Sequence, residues 1–93
     1  MENYINLSHS NINEIHIGLV PYETTILNLS FNNISIVENL PNTIKILYLH
    51  NNNITKINEL PKSLEIIYID KPNNFKFNKS ITVNKPTKIV YIK

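Results

Sequence analysis

Residues 46–65 read ILYLHNNNITKINELPKSLE, and the twenty before them, residues 26–45, read ILNLSFNNISIVENLPNTIK. Both open on an apolar strand-like run, pass through asparagines and close on Leu-Pro. Aligned on the strand, the phrase recurs as YINLSHSNINEI from residue 4, IIYIDKPNNFKF from residue 66 and IVYIK from residue 89, at spacings of 22, 20, 20 and 23 residues. A fixed period in this range marks a solenoid, in which each unit buries its apolar side against its neighbours. Residues 1–93 are read as a single domain of about four repeats plus a terminal strand.

Alternate residues of a strand share a face. Ile5, Leu27, Leu47, Ile67 and Val90, with Leu7, Leu29, Leu49, Ile69 and Ile92, are expected to stack inward as two columns. Ile12, Ile34 and Ile54, then Ile15, Val37 and Ile57, close the far side. Asn32 and Asn52 fall where the chain turns inward, and a carboxamide has both donors and an acceptor for buried turn backbone. The first repeat has Ser10 at that position and the fourth has Pro72. Leu40-Pro41 and Leu60-Pro61, with Val20-Pro21 as an imperfect match, bend the outer wall. Twenty residues less a strand and two turns leave no room for a helix, so the outer wall is expected to be extended or 3₁₀.

The pattern L-x-L-x-x-N-x-I-x-x-I closed by Leu-Pro resembles the leucine-rich repeat over essentially the whole chain. The wording ELPKSLEIIYI, residues 59–69, is most similar to short-repeat leucine-rich proteins of bacterial effectors. The wealth of Ile, Asn and Lys also resembles the leucine-rich repeat gene family of insect poxviruses. The first likeness implies a leucine-rich repeat solenoid, a short horseshoe or slab, with a parallel β-sheet of about five strands on its concave face and an irregular or 3₁₀ convex side. The second implies a viral factor acting on host proteins in the host cytoplasm, as a homodimer.

Several function classes find no support in the residues. There is no cysteine, which removes disulfides and thiolate metal sites and favours a reducing, intracellular setting. The first residues lack the basic start and apolar core of a signal peptide. His9, His16 and His50 lack metal-ligand spacing, and one glycine, Gly18, cannot make a phosphate-binding loop. Glu14, Glu38 and Glu59 read as a solvated outer wall. The chain is read as non-enzymatic, with no cofactor and no metal.

The outward strand positions form the candidate site. One column runs Tyr4, Ile26, Ile46, Ile66, Ile89 and the next Asn6, Asn28, Tyr48, Tyr68, Tyr91, followed by Ser8, Ser30, His50 and Asp70. β-branched and aromatic residues suit strands in any case. Yet an isoleucine row beside three tyrosines makes an exposed apolar stripe, which soluble monomers avoid and protein interfaces use. Tyr4, Ile26, Ile46, Ile66, Tyr48, Tyr68 and Tyr91 are therefore the expected protein-binding set. The last strand, Ile89, Val90, Tyr91 and Ile92, is an open edge suited to homodimer formation. Charge gives a rival reading. Residues 1–70 hold seven acids against three lysines, whereas residues 71–93 hold Lys71, Lys76, Lys79, Lys85, Lys88 and Lys93 and no acid. Such an end can attract a polyanion, a glycosaminoglycan or a nucleic acid, with little specificity.

Overall fold

Each turn of the chain starts on a short run whose alternate residues are fully apolar, and those runs pair with one another rather than with their sequence neighbours. The structure is a computed structural model that describes residues 2–71 and 87–92. Its strands are β1 (Tyr4–Asn6), β2 (Ile26–Asn28), β3 (Ile36–Val37), β4 (Ile46–Tyr48), β5 (Lys56–Ile57), β6 (Ile66–Ile69) and β7 (Lys88–Tyr91). They wind a parallel-strand β-solenoid of about four turns, and no helix occurs among the described residues. One sheet has the order β1-β2-β4-β6-β7, and a second pairs β3 with β5. The outer wall is therefore extended, and part of it is a parallel ladder.

Register follows the repeat. Tyr4 lies opposite Ile26, Ile26 opposite Ile46 and Ile46 opposite Ile66. This carries Leu27, Leu47 and Ile67 into one buried column and Leu29, Leu49 and Ile69 into another. Ile34, Val37 and Ile57 meet them from the other side of the coil, so a single core runs along the axis. Burying each such side chain stabilises by about 1.5–3 kcal/mol before conformational entropy is counted.

A third buried column, Thr24, Ile44 and Leu64, lies outside the sequence-based expectation. It is produced by the prolines. Pro21, Pro41 and Pro61 each accept through their carbonyl from the N–H three residues on, at 3.2, 3.4 and 3.1 Å, so each bend is a tight turn that returns a side chain to the core. Proline presets the backbone for such a turn and lacks the N–H that the bend would otherwise bury.

The asparagines do what their position calls for. Asn32 accepts through Oδ1 from the N–H groups of Ser10 and Ile12, at 3.0 and 2.9 Å. Its Nδ2 donates to the carbonyls of Leu7, Leu29 and Ser30. Asn52 repeats the scheme one turn later, accepting from Ile34 N–H and donating to Leu29 and Leu49. The outer-wall glutamates are less idle than expected. Glu59 accepts from Asn39 N–H at 3.1 Å, and Glu38 from Asn58 Nδ2 at 2.8 Å, each joining adjacent turns.

The last strand departs from the sequence alignment by one residue. Lys88 lies opposite Ile66, Ile89 opposite Ile67, Val90 opposite Tyr68 and Tyr91 opposite Ile69. Ile89, expected to face outward, packs against the core instead. Tyr91 does not continue the column of Tyr48 and Tyr68. A slip of one residue exchanges the faces of every side chain in a strand. In IVYI both phases offer apolar residues to the core, so the pattern alone does not choose between them.

Candidate protein-contact face

The outward columns of the main sheet are thus Tyr4, Ile26, Ile46, Ile66, Lys88 and Asn6, Asn28, Tyr48, Tyr68, Val90. The three isoleucines are half-buried by one another, and Tyr4 at the sheet's edge is 54% exposed. In the second column chemistry changes midway. Asn6 and Asn28 turn their Oδ1 atoms to local structure, each accepting from the N–H of Ser8 or Ser30 at 3.0 Å and from its hydroxyl at 2.6 Å. Tyr48 and Tyr68 have no such task and stack with centroids 4.5 Å apart and planes within 5°. Burial raises the Tyr48 phenol above its usual 10.0, with added contributions from Tyr68, Tyr4 and a hydrogen bond to Tyr68. At neutral pH it is an uncharged donor.

A second feature lies at the rim, where each strand turns. Backbone φ is positive at His9 (53°), Phe31 (57°) and Asn51 (59°), the same position in successive turns. Asparagine tolerates this left-handed geometry, whereas a bulky side chain is strained by it. Phe31 nevertheless occupies it and stands 45% exposed. Its ring stacks on His9 at 4.5 Å and meets His50 edge-on at 5.6 Å. His50 in turn lies edge-on to Tyr48 at 6.3 Å. His9, Phe31, His50, Tyr48 and Tyr68 therefore form one unbroken row of rings across four turns. The Nδ1 atom of His50 is buried there without a hydrogen bond.

The row brings together part of the expected set, Tyr48 and Tyr68 beside Ile26, Ile46 and Ile66, and leaves Tyr91 apart. His50 stands in the expected outward columns though outside the expected protein-binding set, whereas His9 and Phe31 lie outside both. The available sign was a phenylalanine at the turn position that asparagine holds in the next repeat. Asp70, last in the adjoining column, accepts from Asn51 N–H at 2.8 Å. Of the polyanion candidates, Lys71 and Lys88 are exposed. Lys76, Lys79, Lys85 and Lys93 lie outside the described residues, as does Pro72. Among the described residues no three His, Cys, Asp or Glu side chains gather as metal ligands, and no helix is long and apolar enough to cross a membrane.

No known protein family, curated protein or solved structure matches this chain.

Proposed function

We propose that this chain is a non-catalytic protein-interaction module of the leucine-rich repeat type, binding a partner through the outward face of its main sheet. The observation that carries this reading is the row of five rings on the sheet and its rim. It includes a strained, exposed phenylalanine that the core does not use, and strain of this kind concentrates at functional positions. Stacking covers one face each of Tyr48, Tyr68, His9 and Phe31. The row offers ring surface, a phenol donor and neighbouring aliphatic side chains, chemistry that protein interfaces use.

The viral origin, the host partner and the homodimer remain part of this proposal. The wealth of Ile, Asn and Lys supports the first two, and the position of β7 at one end of the sheet order supports the third. The polyanion alternative is supported by the lysine-only composition of residues 71–93. Salt separates them. Capture of a partner from extract is expected to survive the change from about 0.15 M to about 1 M ionic strength, where the screening length falls from about 8 to about 3 Å, and to be lost in Tyr48→Ser and Phe31→Asn. Capture that fades with salt and ignores both substitutions would reject the sheet face and favour the lysines.

A further inference from the structure

Among the described residues, the most exposed of the large apolar side chains are not on the sheet. Ile17 is 86% and Tyr22 74% exposed, and both line a cleft of about 440 Å³ between the first and second turns. Its other apolar walls are Leu40 and Pro41, and its floor is the buried Val20. The cleft follows from a length difference. The first turn spans 22 residues against 20 in the next, and the extra pair falls between Ile15 and Val20. There the chain makes a turn, with Leu19 N–H donating to His16 carbonyl at 3.0 Å and Gly18 at φ 89°. The loop carries Ile17 out of the core to the lining of the cleft.

Both walls are held in place. On one side Thr24 ties back to the Pro21 carbonyl through its hydroxyl at 2.7 Å. On the other, Asn39 donates its Nδ2 to the Ile15 carbonyl at 2.9 Å and its backbone N–H to Glu59. Within the two turns that form the cleft, residues 2–44, formal charge has one sign, and Lys62 belongs to the turn beyond, its N–H donating to Asn42 Oδ1. Residues 2–44 contain Glu2, Glu14, Glu23 and Glu38 and no lysine or arginine. Glu23 follows Tyr22 in the chain and Glu38 precedes Asn39, a lining residue. Where these glutamates are hydrogen-bonded, the partners are uncharged, Asn58 for Glu38 and Thr25 for Glu2. An open apolar cleft with Glu23 and Glu38 next in the chain to its lining residues suits a cation-bearing chain with an apolar side chain.

We propose that this cleft docks a cationic segment of a partner protein, which seats an aliphatic or aromatic side chain between Ile17, Tyr22 and Leu40 while flanking basic residues face Glu23 and Glu38. The site is separate from the sheet face and stands without it. The test uses the whole chain and a short synthetic peptide with a phenylalanine–leucine pair flanked by lysines, followed by two-dimensional amide NMR. The peptide is expected to shift the amides of Ile17, Gly18 and Tyr22 and to leave those of Tyr48 and Tyr68 in place. Ile17→Ser and Tyr22→Ser should each weaken it by about tenfold or more, while Ile36→Ser, an exposed residue elsewhere on the outer wall, should not. Because Ile17 and Tyr22 are exposed, the remaining amides should show that both variants keep the fold. No shift at millimolar peptide would overturn the proposal. So would equal binding of a peptide with serines in place of the apolar pair, which would mean charge alone. Concentration-dependent shifts of the same amides without peptide would overturn it too, since a second copy would then fill the cleft.

Discussion

The second turn, residues 26–45, and the first, residues 4–25, repeat the same phrase but bury it to different depths. In the second, Leu27, Leu29, Ile34, Val37 and Ile44 are all fully buried. In the first, Ile5, Leu7 and Ile12 are half-buried, and Ile17 and Tyr22 are open. The difference has two causes. A turn inside the stack is covered on both sides, whereas the first has a neighbour on one side among the described strands. The first turn also carries Ser10 where the second has Asn32, together with the two-residue insertion at Gly18. In a solenoid, stability is thus concentrated in the regular inner turns, and departures from the repeat leave surface available for contacts.

The largest expected effect tests the asparagine position. Asn32→Ala removes five hydrogen bonds to backbone groups of two turns. Each buried group left unpaired costs about 1–3 kcal/mol, against a total of about 5–15 kcal/mol for a whole domain. The variant is expected to lose most of its stability to urea or to unfold. Ser10 at the equivalent place bonds to Ser8 carbonyl from an exposed site, and Ser10→Ala should lose about 1 kcal/mol or less. Equal losses in the two variants would break the contrast between the turns.

The next effect tests burial. Leu49 is fully buried, and Leu49→Ala should cost about 2–5 kcal/mol by urea unfolding. Leu7, its counterpart in the first turn, is half-buried, and Leu7→Ala should cost less than half as much. A similar loss at both positions would mean that the first turn is packed as firmly as the third.

The inner columns were legible in the sequence because a parallel in-register coil copies one alternation from turn to turn, as at Leu27, Leu47 and Ile67. The same logic placed Asn32 and Asn52 and excluded a helical outer wall. It failed at β7, where IVYI fits the core in either phase, and it missed Ile44 and Leu64, whose burial depends on the proline turns. Of the contact face, Ile26, Ile46, Ile66, Tyr48 and Tyr68 could be read from strand alternation. Phe31 could not, because it lies beyond the strand and its exposure comes from a left-handed turn. Gly18 stood out as the only glycine, but its meaning appears only when the insertion that surrounds it is seen to open the cleft.

Two substitutions at positive-φ positions sharpen this reading with effects of about 2 kcal/mol or less. A Cβ at Gly18 would meet no atom within 4 Å, so Gly18→Ala is penalised by its positive φ alone, by about 1–2 kcal/mol. Its thermal melting point should fall accordingly, while Ile17 stays exposed. Phe31→Asn should act in the opposite sense. It places asparagine at the φ that Asn51 already adopts and relieves strain of similar size, while giving up ring contacts worth about 0.5–1.5 kcal/mol. Its stability should stay within about 1 kcal/mol of the parent. A clear destabilisation would make Phe31 a structural residue and remove the main support for the ring row as a contact face.

The smallest effect separates the outer halves of the sheet by pH. The second outward column has Asn6 and Asn28 in the first two turns and stacked tyrosines in the next two, so alkaline sensitivity from this column should arise only in the latter. Burial and the neighbouring phenols raise Tyr48 above 10.0, which means that its neutral form is favoured in the folded chain. The unfolded chain therefore ionises there first. The stabilisation from Tyr48 is complete below its unfolded value of about 10 and is lost as pH rises through the raised folded value. Tyr48→Phe keeps the ring but cannot ionise. Its melting point should match the parent near neutral pH apart from a constant offset, and above about pH 10 it should decline less steeply. Lysine titration is common to both chains and cancels in the difference. Parallel declines would show that the Tyr48 hydroxyl gains nothing from its place in the stack, leaving the rings alone to define the face.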